Sequence, residues 1–438
     1  MEIYKYPSYA AEEKLNKIIN RDVGFSEKNI AVVTDIINNV KKNGDNALIE
    51  YSMRFDLCKL DRTSLTVSKK EMEEAKKLVS KDFLISLDTA IDKIKRFHTK
   101  QIEKSWIEAD ENGIITGQLV NPVNSAGIYV PGGKGGQTPL VSSVLMGALP
   151  AKIAGVKNII MTTPPTKNGT VNPHLLAAAN RVGIDSVFKV GSAWAVAAMA
   201  FGTETIRKVD VIAGPGNIYV TIAKKLVSGA VGIDMIAGPS EILIVADGFG
   251  SSEFAAADLL SQAEHDVKAS AILITVSEKF AEDTTRALSL QIQKLTRKDI
   301  AEQSIKSYGA AFVVEDIETG IRLANLIAPE HLQLCLKNPF DYIGKIKNAG
   351  AVFIGEYTPE PVGDYIAGPN HVLPTAGAAR FSSGLSVANF IKKTNLISYN
   401  RTAFNKEAKH IIKLASTEGL DAHINSINIR KGYKVTKI

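Results

Sequence analysis

The chain predicts an α/β fold built on parallel sheets, and three observations carry that prediction. From Ser125 onward, short β-rich runs alternate with Ala-rich helical runs. Many of the β-rich runs are apolar at every position, as strands covered on both faces are. Glycine-rich turns follow a strand and precede a helix at Pro131-Gly132-Gly133-Lys134-Gly135-Gly136 and at Gly214-Pro215-Gly216-Asn217. Such turns suit anion or cofactor binding at a helix N-terminus. Neither is the G-x-G-x-x-G dinucleotide fingerprint, so each is also readable as a tight turn.

The elements follow in order. Residues 30–51 carry apolar side chains at helical spacing, broken by the polar turn Asn43-Gly44-Asp45. A second helical pattern runs from Lys69 to about Trp106, and His98 within it is read as a packing or capping residue. Strands are expected at 127–130, 158–162, 186–190, 209–212, 241–246, 271–276, 311–314 and 351–354, with helices at 142–155, 173–181, 194–200, 220–227 and 253–265. Pro329 suits a first helical position, which would put Glu330 and His331 in a first turn. The alternation of Leu332, Leu334 and Leu336 then predicts a strand soon after. Two α/β sheets of similar size are compatible with this pattern.

Composition bounds the function. A chain of 438 residues divides into two to four domains. The net charge of +6 comes from scattered pairs such as Lys41-Lys42 and Lys224-Lys225, without the clustering and interleaved aromatics of a nucleic-acid surface. The tail Arg430-Lys431-Gly432-Tyr433-Lys434 reads as a frayed end. The two cysteines, Cys58 and Cys335, are no disulfide framework, and Cys335 reads as a buried, inert thiol. No run reaches the ~18 apolar residues of a membrane span, and the N-terminus lacks a signal peptide's apolar core. A cytoplasmic protein is expected, with neither nucleic-acid nor membrane partners.

Candidate chemistry gathers in four stretches: Ser261-Gln262-Ala263-Glu264-His265-Asp266, Pro329-Glu330-His331, Pro361-Val362-Gly363-Asp364-Tyr365 and Glu418-Gly419-Leu420-Asp421-Ala422-His423. Nitrogen and oxygen donors without thiolate, beside a carboxylate and an imidazole, describe a catalytic rather than a structural metal site. Gln262 and His265 are three apart on a predicted helix and share a face, with Asp258 on the same stripe. A helix N-terminus would keep Glu330 ionised and His331 neutral, giving two adjacent bases for two proton transfers. His371 is a further candidate in the loop after Asp364. Taken singly, each of these is equally a solvated or capping residue.

The longest motifs are Gly214-Pro215-Gly216-Asn217-Ile218-Tyr219-Val220, Ala237-Gly238-Pro239-Ser240-Glu241, Asp258 through Asp266, Ala328-Pro329-Glu330-His331-Leu332 and Asn370-His371-Val372-Leu373-Pro374-Thr375. In these, and from about Asn39 to Arg430, the chain closely resembles the histidinol dehydrogenase family. The resemblance implies two incomplete Rossmann-like domains with smaller helical N- and C-terminal appendages. It implies an N-terminal appendage over 1–25, a substrate and zinc domain over 26–129 and 240–385, a cofactor-side domain over 130–239, and a C-terminal segment over 386–438. It implies one zinc per subunit on Gln262, His265, Asp364 and His423, and proton transfer by Glu330 and His331. Ser240, Gln262, His265, His331, Asp364, Glu418 and His423 would touch substrate. Tyr129, Asn217 and the residue at position 194 would touch NAD. The implied reaction takes L-histidinol to L-histidine with two NAD⁺, in a homodimer whose C-terminal segment completes the neighbouring site.

Two departures fall on the cofactor side. The family pattern has Gln where this chain has Trp194, and the glycine loop after Tyr129 is about three residues longer, at Lys134-Gly135-Gly136-Gln137-Thr138. An indole can replace a lost polar contact by stacking, so Trp194 is expected to line the cofactor cleft. The competing readings are a dehydrogenase of the same family for another small alcohol and, in a different class, a zinc hydrolase without cofactor.

Overall fold

The structure, a computed structural model, describes residues 1–21, 24–133, 136 and 138–432. Lys134, Gly135 and Gln137 of the glycine loop, and Tyr433 and Lys434 of the tail, lie outside the described residues. In chain order the strands are β1 (Ile3–Lys5), β2 (Trp106–Ala109), β3 (Ile114–Pro122), β4 (Ser125–Tyr129), β5 (Asn158–Thr162), β6 (Ser186–Phe188), β7 (Val211–Ala213), β8 (Gly232–Ile233), β9 (Glu241–Ala246), β10 (Ser270–Thr275), β11 (Ala310–Val313), β12 (His331–Cys335), β13 (Ala351–Ile354) and β14 (Ile391–Tyr399).

Two of the sheets are wholly parallel. One has the order β6-β5-β4-β7-β8, the other β1-β11-β10-β9-β12-β13. Without β1 the second repeats the order of the first. In each, the first strand of the set is central, its two successors step outward on one side and the last two on the other. That is the doubly wound order short of its final strand, so the expected pair of incomplete Rossmann-like sheets is present. β9 and β10 are apolar and buried almost throughout because helices cover both faces of their sheet.

Contact clustering divides the chain into two units, Met1–Ile102 with Val123–Phe390, and Glu103–Pro122 with Ile391–Ile438. The first contains both parallel sheets. Residues 1–25, expected as an appendage, supply edge strand β1, and the helix Tyr9–Ile19 buries Ala11, Leu15 and Ile18 in the core of the six-stranded sheet. An apolar stripe at helical spacing had to be covered, and that sheet face covers it. Residues 26–129 were expected with the same sheet. Their helices instead pack on the five-stranded one: Val33, Ile36, Ile37 and Val40 of helix Glu27–Asn43 meet Trp194, Val196 and Ala197 of helix Ser192–Phe201. Each of these Val and Ile side chains contributes about 1.5–3 kcal/mol by leaving water.

The expected break at Gly44 is present, between helices Glu27–Asn43 and Asp45–Tyr51. The pattern read as one helix from Lys69 to Trp106 divides at Val79 into Lys69–Leu78 and Lys81–Thr99, with Ser80 capping the second by accepting from Phe83 N–H. Trp106 opens β2 instead of closing a helix. The second unit is an antiparallel sheet, β14-β3-β2, followed by helices Arg401–Thr417 and Asp421–Gly432. No helix among the described residues is long and apolar enough to cross a membrane. His98 is fully buried, with Nδ1 2.7 Å from Gln101 Oε1, and Cys335 is a buried thiol that burial pushes up to about 12.

Candidate active site

Strand register builds one edge of this site. Glu241 pairs with Ser270, and His331 pairs with both Ile242 and Ala351, so the amino ends of β9, β10, β12 and β13 lie nearly flush. The connection into β12 is tight. The expected helical turn at Pro329 does not form, because the helix Ile317–Ile327 ends at Ala328 in the left-handed region (φ 53°) and the chain then turns directly into the strand. Ala351 N–H donates to the Glu330 carbonyl at 2.9 Å. Gly350 is required beside it, since a Cβ there would come 2.5 Å from that same carbonyl oxygen.

Glu241 organises this edge, and nothing in the sequence marked it beyond its place in a long motif. Its carboxylate pairs with buried Arg21 and accepts from Ala376 N–H at 2.9 Å and Glu330 N–H at 3.0 Å. Its own N–H donates to Glu330 Oε2 at 2.9 Å. Its carbonyl sits 2.8 Å from His331 Nδ1. A carbonyl only accepts, so Nδ1 carries the proton and Nε2 presents its lone pair. Burial pushes His331 down to about 4, which keeps the ring neutral.

Glu330 differs from expectation. Without a helix N-terminus to stabilise its charge, burial and then the Glu241 carboxylate hold its proton well above the usual carboxylate range. The pair is therefore a carboxylic acid beside a neutral imidazole, not two bases.

Across from His331 lies the short helix Glu360–Tyr365. Glu360 and Asp364 are four apart and share its inner face. Glu360 Oε1 is 3.8 Å from His331 Nε2, and Asp364 Oδ1 is 3.4 Å from His371 Nδ1. One ligand atom from each of His331, Glu360 and Asp364 falls within 4.8 Å of the others. Burial and then the Asp364 charge push Glu360 up to about 9. Burial acts upward on Asp364, but His371, the hydrogen bond from Glu360 and the charge of His331 together offset it and hold Asp364 below its ordinary value. Sequence reasoning began this stretch at Pro361 and missed Glu360, although the acid-x-x-x-acid spacing was legible.

The helix Ser252–Ala263 delivers the remaining donors. Gln262 is buried at its end, with an amide nitrogen that has no hydrogen-bond partner. His265 lies past the C-cap, so Gln262 and His265 are not on one helical face as expected. Its Nδ1 is 3.4 Å from Ser240 Oγ, and its pKa is lowered by burial against the opposing Asp364 charge. Asp258 points away to accept from Gln333 Nε2 at 2.8 Å. A cavity of about 110 Å³ is bounded by His331, Phe353, Asp364 and His371. Glu418 and His423 belong to the second unit, where both are exposed, Glu418 capping helix Arg401–Thr417 and His423 in helix Asp421–Gly432.

A second site lies at the carboxyl ends of β4 and β7, the point where the order of the five-stranded sheet reverses and where such sheets take ligands. A pocket of about 640 Å³ there is lined by Tyr129, Pro131, Trp194 and Asn217 among others. Tyr129 OH accepts from Ser192 N–H at 3.1 Å. Asn217 caps helix Ile218–Val227, its side-chain oxygen accepting from Tyr219 and Val220 N–H. Trp194 is 4% exposed and stacks on Phe55 at 5.4 Å, with Tyr51 at 5.5 Å. Its Nε1 is buried without a partner. Among the described residues, the non-glycine residues with positive φ are Leu57, Ser192, Ala328 and Ala376, and each borders or adjoins one of these two sites. Backbone cost of this kind concentrates where function over-determines geometry.

A ligand crevice at the switch point of one Rossmann-like sheet, and a buried acid–imidazole cluster on the other, define an α/β oxidoreductase. The family model for histidinol dehydrogenase matches residues 20–431. Histidinol dehydrogenases of Clostridium acetobutylicum and Desulfotalea psychrophila are each 51% identical, over 92% and 95% of this chain and 92% and 96% of theirs. The crystal structure of histidinol dehydrogenase from Elizabethkingia anophelis is 40% identical, covers 98% of both chains and superposes with a TM-score of 0.92. The chain belongs to the histidinol dehydrogenase family, oxidoreductases of histidine biosynthesis.

Proposed function

We propose that the chain oxidises L-histidinol through L-histidinaldehyde to L-histidine with two NAD⁺ in succession, on a zinc centre that a second subunit completes. The observation that carries this reading is the pre-oriented neutral imidazole of His331, its Nε2 facing Glu360 and its neighbour Glu330 poised as a second proton carrier. Zinc fits the donor chemistry: ligand atoms of His331, Glu360 and Asp364 converge, Gln262 keeps a buried amide nitrogen without a partner, and a proton held on Glu360 at about 9 is what two buried acids do with no positive charge between them. Gln262, His265 and Asp364 would hold the metal together with His423 of the partner subunit, and Ser240 and the partner subunit's Glu418 would help seat the substrate. Bound zinc has no redox chemistry and would supply charge that grips the substrate's amine and imidazole, so the hydride must go to the dinucleotide.

The residues of the chain divide the proton work. His331 Nε2 accepts the alcohol proton as the first hydride leaves carbon for NAD⁺. The aldehyde stays held while Glu330, once its own proton has left, takes a proton from the water that adds to the carbonyl. The second hydride then goes to a second NAD⁺, and the carboxylic acid so formed gives its remaining proton to solvent, leaving the carboxylate of L-histidine. The dinucleotide occupies the pocket at Tyr129, Trp194 and Asn217. Chelation tests the metal: the stripped protein should lose NAD⁺ reduction with L-histidinol and regain it on addition of zinc. Full activity in protein shown to be metal-free would refute the zinc reading.

A further inference from the structure

The pocket at the switch point contains a carboxylate that the oxidation chemistry does not use. In a sheet of this order, the acid that meets a ribose diol ordinarily stands after the second strand. That strand is β5 here, and it runs on into Thr163-Pro164-Pro165-Thr166, with no acid. An acid reaches the pocket from outside the sheet instead. Residues Ser52–Asp56 form a single π-helical turn, closed by Leu57 in the left-handed region at φ 54°. Cys58 N–H bonds back to the Ser52 carbonyl at 3.2 Å. Turns of this type carry a local cost and recur at functional sites.

The turn brings Phe55 and Asp56 to the pocket wall. Among the described lining residues, Asp56 alone carries a carboxylate. Its Oδ2 is shut off from solvent and has no hydrogen-bond partner in the protein, which is costly unless a donor arrives. Beside it, Val32, Ile36 and Phe55 form an apolar wall of the kind that takes a purine ring. A ring seated there would put its attached ribose against Asp56.

We propose that Asp56 receives the hydroxyls of the adenosine ribose and thereby excludes a 2′-phosphorylated dinucleotide. The proposal rests on the reading above that this pocket holds the dinucleotide. A 2′-phosphate would remove one of the two donors and set negative charge against the carboxylate.

The test titrates NAD⁺, NADP⁺ and deamino-NAD⁺ into the full-length zinc-loaded protein and its Asp56→Asn and Asp56→Ser variants, followed by calorimetry and tryptophan emission. Wild type should bind NAD⁺ and deamino-NAD⁺ alike and NADP⁺ about 100-fold more weakly, and both variants should lose about tenfold or more in NAD⁺ affinity while the gap to NADP⁺ narrows. Thermal unfolding of Asp56→Asn no lower than wild type establishes that the variant is folded. NAD⁺ affinity within about twofold of wild type in both variants, with discrimination against NADP⁺ unchanged, would overturn the proposal alone. So would weak binding of deamino-NAD⁺ to wild type, since Asp56 would then be holding the adenine amino group. Wild type that binds no NAD⁺ would overturn the cofactor reading and this proposal together.

Discussion

Replacing Glu360 with Gln should stabilise the metal-free protein and weaken the metal-loaded one. The side chain is buried, 4% exposed, and its carboxyl is pushed from an ordinary 4.5 up to about 9 by burial and by Asp364. A carboxyl raised in the folded state stabilises fully below its unfolded pKa and loses that contribution as pH rises toward the folded one. At pH 7 wild type has therefore lost about 2.5 pH units of this term, or ~3 kcal/mol. Gln keeps the shape and an N–H donor for Asp364 without titrating. The metal-free variant should thus gain up to ~3 kcal/mol at pH 7, almost nothing at pH 4.5, and its largest margin near pH 9. With zinc held by Gln262, His265 and Asp364 beside Glu360 the sign reverses, because the carboxylate charge is now wanted, and zinc affinity should fall about 10–100-fold. Thermal unfolding across pH, with and without zinc, reads both effects. A metal-free variant less stable than wild type at pH 8, or zinc affinity unchanged in a folded variant, would refute the reasoning.

His331→Asn should slow both oxidations by ~10²-fold or more, because it removes the base facing the substrate. Glu330→Gln should spare the first oxidation and arrest at the aldehyde; equal, mild losses in both halves would remove these roles, and single-turnover assays started from histidinol and from histidinaldehyde separate them. Trp194→Gln should shift the Michaelis constant for NAD⁺ and leave that for histidinol nearly unchanged, and because the other tryptophan, Trp106, stands half exposed on β2, NAD⁺-dependent quenching of the buried indole can be followed in wild type. Mixed inactive His265→Ala and His423→Ala chains should regain activity on subunit exchange, since one of the two sites would then hold a full set of ligands; exchange confirmed by mass with no activity would show that each site is built from a single chain.

The periodic parts of the fold were legible. Strands that are apolar throughout, such as Glu241–Ala246, and helices bounded by glycine announce themselves through short-range pattern. Long-range pairing does not. Ile3–Lys5 is three residues of no special composition, and only its partner Ala310–Val313 makes it a strand. Likewise Ile391–Tyr399 and Ile114–Pro122 are strands because they pair over nine residues, far apart in sequence. At the candidate site, residue type and resemblance pointed to His265, His331 and Asp364. Glu241 was not singled out, because its importance comes from register and burial that no local window reports; Glu360 was passed over although its spacing to Asp364 is visible in the sequence. Proline before Glu330 pointed to a helix start, but pairing of His331 with Ile242 and Ala351 imposed a strand, and with it the protonated state of Glu330.

The central claim is that one site carries the substrate through two oxidations without releasing the aldehyde. Its most direct measurement is the stoichiometry of the zinc-loaded protein with limiting L-histidinol and excess NAD⁺, with products separated and counted. Two NADH and one L-histidine per L-histidinol, with no free histidinaldehyde accumulating, is the predicted result. One NADH per L-histidinol with the aldehyde as end product, or no NADH at all, would contradict it.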